Sequence, residues 1–131
     1  MSYQPSGNYV SGWIIINDTA LVPGGYYALS VYESTANTFQ NAPMRSDSLK
    51  LEKHYTDYRV FYRIYDVPQG SYYFAITWIH YPPLGGKLPV LGTWGCDTTH
   101  GCSEHKLIPF PNYTGASYNI LGWADTSKKL N

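Results

Sequence analysis

Charge is scarce in this sequence. Asp, Glu, Lys and Arg make up 14% of its 131 residues, well below the roughly 25% usual in soluble domains. Nine basic and nine acidic residues leave a net charge of zero, and Lys128-Lys129 is the one adjacent cationic pair. Displacing counterions from a phosphate backbone needs a basic stripe, so no nucleic-acid partner is expected. No apolar run approaches the ~20 residues of a membrane-spanning helix, so no transmembrane span is expected. Also missing are a glycine-rich phosphate loop, a framed catalytic nucleophile, an internal repeat and a convincing amphipathic helix. No cofactor is therefore expected. Cysteine occurs twice, as Cys96 and Cys102.

What the sequence has is tyrosine, 14 of them, within a hydrophobic fraction of 44%. Tyr favours strands and carries an apolar ring with a polar tip. The length suits one domain. Residues 1–8 read as a flexible N-terminal arm, residues 9–125 as a single β-sandwich domain, and residues 126–131 as a C-terminal tail. Strands are expected from Tyr9 to Ile16, Tyr26 to Glu33, Tyr58 to Val67, Ser71 to His80 and Gly115 to Trp123. Shorter ones are expected at Leu49-Lys50-Leu51 and within 88–94 and 105–110. Residues 34–47 read as a polar loop. On the second strand Tyr27, Leu29 and Val31 form the better core face. On the third, Tyr58, Val60, Tyr62 and Ile64 face the core, and Arg59, Phe61, Arg63 and Tyr65 the water. The strand from Ser71 is apolar on both faces, which predicts a central place in its sheet. The fold class is all-β, a seven- to eight-stranded sandwich.

One segment carries a resemblance. Tyr62-x-Ile64-x-x-Val67-Pro68-x-Gly70-x-Tyr72-x-Phe74-x-Ile76 is similar to the central hairpin of transthyretin-like (prealbumin-like) sandwiches, in particular the carboxypeptidase regulatory-like domains. Gly12-x-Ile14 and Leu29-x-Val31 stand where that family has its first two strands. The likeness spans about the first eighty residues and has no counterpart in the cysteine-bearing third. It implies a Greek-key sandwich and a noncatalytic module of an exported or cell-envelope protein, lipoproteins included. Two enzyme families share the sandwich. Hydroxyisourate hydrolases end in Tyr-Arg-Gly-Ser, whereas this chain ends Lys128-Lys129-Leu130-Asn131. Intradiol dioxygenases hold iron with two Tyr and two His, and their surrounding motifs are absent here.

The densest cluster of reactive side chains runs from Cys96 to His105. Its first reading is a Cys96–Cys102 disulfide, a staple of about 2.4 kcal/mol by loop entropy. The alternative is a metal or small-ligand site on the same loop, where His100 and His105 could bind a metal even beside a disulfide. A further candidate is an aromatic surface for stacking on sugars, formed by Trp94, Tyr81 and Tyr113. Against it stands the ordinary role of such rings, which is to fill the sheet interfaces.

The leading expectation is a noncatalytic, secreted, periplasmic or cell-envelope module acting through protein or glycan contacts. The metal- or ligand-binding protein stands second, and a hydrolase or dioxygenase relative third. The polar start, Met1 to Gly7, is no secretory signal. Either the chain is cytosolic or a leader has been removed; the cysteine pair favours the second, with room there for a lipid anchor. An edge strand near Leu49 would permit a homodimer.

Overall fold

Alternation sets the first strand. Along β1, Tyr9–Ile16, the inward positions are Val10, Gly12, Ile14 and Ile16, while Tyr9, Ser11, Trp13 and Ile15 point outward. The computed structural model describes residues 9–17, 20–35, 39–65, 67–82, 87–95, 105–110 and 116–130. Among them are nine strands and one turn of 3-10 helix. After β1 come β2 (Gly25–Glu33), β3 (Arg45–Ser48), β4 (Glu52–His54), β5 (Asp57–Tyr65) and β6 (Gly70–His80). β7 (Val90–Thr93), β8 (Ile108–Phe110) and β9 (Ile120–Gly122) complete the set. The chain is all-β, with two sheets packed face to face. The expected Cys96–Cys102 loop and the arm over residues 1–8 lie outside the described residues.

A four-stranded sheet has the order β4-β5-β1-β9. β1 runs antiparallel to β5 and parallel to β9. The five-stranded sheet has the order β3-β2-β6-β7, with β8 also on β6. β7 pairs with Ala75 to Thr77 and β8 with Gly70 to Tyr72. Two short strands thus share one flank of the eleven-residue β6. β6 is the central strand its two apolar faces predict. Among the described residues no helix is long and apolar enough to cross a membrane.

Several expectations are corrected. Pro68-Gln69-Gly70 does not close a hairpin, because β5 and β6 belong to different sheets. Their apolar faces, Tyr62 and Ile64 against Phe74 and Ile76, meet across the core, which a side-by-side hairpin would prevent. The loop at 34–47 ends early, in β3, and the strand expected at Leu49-Lys50-Leu51 is instead the crossover from β3 to β4. β3 carries no apolar alternation. It is held by register with β2, by the Ser30–Ser46 hydroxyl bond of 2.7 Å and by Arg45 Nη1 donating to Tyr65 O at 2.7 Å. The last strand is shorter than expected, although Tyr118 N still donates to Ser11 O at 2.9 Å. The tail residues before Asn131 also belong to the sandwich. Asp125 caps the 3-10 turn Thr126–Lys128 by accepting from Ser127 N, and Leu130 N donates to Val90 O at 2.7 Å.

The main core lies between the sheets and includes Ile14, Leu29, Ile64, Phe74, Ile76 and Ile120, each at most 2% exposed. Burying one such side chain contributes roughly 1.5–3 kcal/mol. A smaller cluster covers the outer face of the five-stranded sheet, where Tyr32, Phe39, Ala75 and Val90 pack with Leu130. Phe39 holds a left-handed backbone, φ 61°, a strain of roughly 1–3 kcal/mol that its ring offsets by packing 4.9 Å from Tyr32 and 5.6 Å from Tyr73.

The two long sides of the sandwich differ. On one, β7 and β9 touch backbone to backbone, with Trp123 N donating to Leu91 O at 3.1 Å. On the other, β3 and β5 stay apart and a groove of about 290 Å³ opens between them.

Candidate docking surface

The β1–β5 register builds a surface that neither strand displays alone. Tyr9 pairs with Tyr65, Ser11 with Arg63, Trp13 with Phe61 and Ile15 with Arg59. All eight are outward positions of the four-stranded sheet, since side chains alternate along each strand. Trp13 and Phe61 are 43% and 45% exposed, high for large rings in the middle of paired strands. Their centroids lie 5.3 Å apart with planes at 71°. Tyr9 and Tyr65 stand 5.6 Å apart.

Between the two ring pairs lies Arg63. Its guanidinium carbon is 4.7 Å from the Tyr9 ring centroid and 5.9 Å from that of Phe61. One of its nitrogens, Nη1, donates to the Tyr65 hydroxyl at 3.3 Å. The chain has three arginines. Arg45 holds Asp47 through Nε and Nη2, at 3.2 and 3.0 Å. Arg59 holds Asp57 in the same two-pronged way, at 3.1 and 2.9 Å, and this pairing keeps the Asp57 carboxyl below the usual carboxylate range. Arg63 has no carboxylate partner among the described residues. Aromatic faces attract its charge weakly and leave it able to form a forked ion pair with an incoming anion.

Compared with known proteins, the chain matches no family model, no curated protein and no solved structure.

The candidate residues read from the sequence lie elsewhere. Cys96, His100, Cys102 and Tyr113 are outside the described residues. Trp94 turns inward: it is half-buried against the main core, with its ring edge-on to Tyr118 at 5.0 Å. Tyr81 is 73% exposed, but its N bonds Gly24 O, whereas Trp94 N bonds Phe74 O. Seven residues of extended chain, roughly 23 Å, separate these two anchor points on β6 and its continuation. No shared surface of Trp94 and Tyr81 results. Sequence reasoning passed over the Trp13–Phe61 row because it set the arginine-bearing face of β5 aside as the wet face. The one available signal was a Trp at an outward position of an alternating strand.

His105 is half-buried. Its Nδ1 lies 2.6 Å from Thr93 Oγ1, and its ring meets Phe39 at 4.9 Å. Burial holds its pKa below the ordinary 6.5, because a cation there would lose hydration. The unfolded chain therefore takes up this proton at higher pH than the folded one. The stability due to the neutral ring is complete above about 6.5 and declines as the pH falls from there towards the depressed folded value. Urea unfolding at pH 7.5 and pH 5.5 should show a lower midpoint at pH 5.5. That drop should shrink in His105→Asn, and equal drops in both proteins would refute the assignment.

Proposed function

We propose that this chain is a noncatalytic β-sandwich module of an exported or cell-envelope protein, docking onto a partner protein through the outer face of its four-stranded sheet. The observation that carries the reading is the exposed row of Trp13, Phe61, Tyr9 and Tyr65 around Arg63, the arginine without a carboxylate partner among the described residues. Trp, Tyr and Arg are the residues that dominate binding energy at protein interfaces. An acidic side chain on the partner would complete the Arg63 site.

A glycan fits less well. Sugar stacking wants a ring face open to solvent, yet Trp13 and Phe61 meet edge to face and Arg63 covers the Tyr9 ring. The finer fold reading, a transthyretin-like Greek key, is supported by the chain path. After β3 the chain passes through β4 and β5 in the opposite sheet, then returns with β6 to lie beside β2, a Greek-key type of connection. Export is supported by the charge-poor, tyrosine-rich composition and the closely spaced cysteine pair.

Site-specific crosslinking tests the docking face. A photo-reactive phenylalanine analogue at position 13, in the protein expressed in its own host cells, should give a discrete protein adduct. The same analogue at position 81, an exposed ring off this face, should not. Arg63→Glu should abolish the adduct. No adduct at position 13, the same adduct from both positions, or glycan-array binding lost in Trp13→Ala would each overturn the reading.

A further inference from the structure

The edge of β5 is only partly covered. β4 pairs with Asp57, Tyr58 and Arg59 and no further. From Val60 to Tyr65 the flank of β5 away from β1 has no strand beside it among the described residues. Tyr65 O accepts from Arg45 Nη1 at 2.7 Å, reaching across from β3, which shows that the Tyr65 carbonyl faces this flank. In an antiparallel strand a residue's N–H and C=O point to the same side, and the side alternates. Phe61 and Arg63 therefore also present their backbone groups to the open flank.

Beside this flank runs the groove between β3 and β5. Its floor is apolar, with half-buried Leu49 and Val60 lying over the buried Leu29, Tyr62 and Ile64. Its rim is cationic on balance: Lys50 is exposed, Arg63 lacks a carboxylate among the described residues, and the charge of Asp47 is taken by Arg45. An added strand would place alternate side chains on opposite faces of the sheet. One set would drop onto the apolar floor, and the other would lie beside Phe61 and Arg63.

We propose that the open edge of β5 from Val60 to Tyr65 receives an extended peptide segment of a partner protein as an added strand, with apolar residues facing the groove and acidic residues facing Arg63. This proposal rests on the docking reading above and names the way the partner engages that sheet. Backbone hydrogen bonds to Phe61 and Arg63 would supply affinity, and the alternating pockets would supply selectivity.

The probe is a capped seven-residue peptide alternating glutamate and valine, titrated into the full chain. Two controls are a lysine–valine alternation and the glutamate–valine composition arranged in two blocks. The alternating acidic peptide is expected to bind at least tenfold tighter than either control and to slow amide hydrogen exchange at Phe61 and Arg63. Arg63→Gln should weaken binding about tenfold. Arg63→Pro, which also removes an edge N–H at a position where proline is tolerated, should abolish it. Absence of binding, equal binding of all three peptides, or protection elsewhere would overturn the proposal. So would a dimer in sedimentation whose Phe61 and Arg63 amides are already protected without peptide, which would make a second copy the occupant. Adducts at position 13 without strand addition would leave the docking face standing and remove only this mode. Strand addition without adducts at position 13 would remove the face and keep the edge.

Discussion

Phe74→Ala is expected to destabilise the protein by about 4 kcal/mol. Phe74 is fully buried on β6 and faces the four-stranded sheet. Its ring lies 6.2 Å from Tyr62 of the opposite sheet and stacks at 6.2 Å on Phe110 of β8. Removing it leaves a void whose depth depends on whether these neighbours can move in. Tyr62 cannot follow easily, since its hydroxyl donates to Tyr118 O at 2.7 Å, and burial also keeps that hydroxyl protonated by raising its pKa. A small domain has roughly 5–15 kcal/mol in total, so the variant should unfold at a much lower urea concentration with an unchanged slope. A loss below about 1.5 kcal/mol would mean that the two sheets collapse onto the space and that the core is less rigid than its packing implies.

Gly92→Ala is expected to destabilise by about 3 kcal/mol, against the usual direction. Within a strand, alanine normally improves on glycine by roughly 0.5–1 kcal/mol because the unfolded chain loses freedom. At Gly92 a Cβ would sit 2.1 Å from Leu121 O and 2.8 Å from the Gly122 Cα. Both are backbone atoms, and both belong to β9, which is fixed to β1 by its parallel pairing. No side chain can swing aside, so the contact is relieved only by parting the sheets along their closed side. A thermal melt gives the sign directly. A Gly92→Ala protein melting at or above the parent temperature would show that β7 and β9 do not meet this closely.

The contrast between the two sides bears on how the molecule avoids sheet-to-sheet association. The closed side has backbone contact where an edge would otherwise stand. On the open side, β4 is three residues long, exposed and polar, and Arg63 and Lys50 stand next to the unpaired flank. Short edges and cations discourage indiscriminate pairing. The same features would select a strand that brings carboxylates with it.

The core strands were legible because their chemistry is periodic. β1 was located to the residue, and β2, β5 and β6 to within two residues of their ends. The inward set on β5 was also read correctly, as Tyr62 and Ile64 are buried and Phe61 and Arg63 exposed. β3 and β4 were missed, with one strand expected between them at Leu49-Lys50-Leu51, because Arg45–Ser48 and Glu52–His54 bury no large apolar side chain, and hydrogen bonding to a neighbour leaves no mark in a hydropathy pattern. The Pro68–Gly70 turn was located, but not what it joins, because a hairpin and a sheet-to-sheet crossover need the same local backbone. Trp94 was placed on the surface by its position beside a polar loop, whereas its ring packs inward on Tyr118.

By itself the sequence determined the all-β class, the central place of β6 and the core faces of β2 and β5. These follow from period-two burial, a property of one strand at a time. Only the tertiary structure decided that Trp13 and Phe61 stand side by side, that Arg63 lacks the carboxylate its two counterparts hold among the described residues, and that one flank of β5 is open. Each of these depends on register and on the stacking of the sheets. Register and stacking are set by contacts between residues some fifty positions apart, such as Trp13 with Phe61, and no local pattern encodes them.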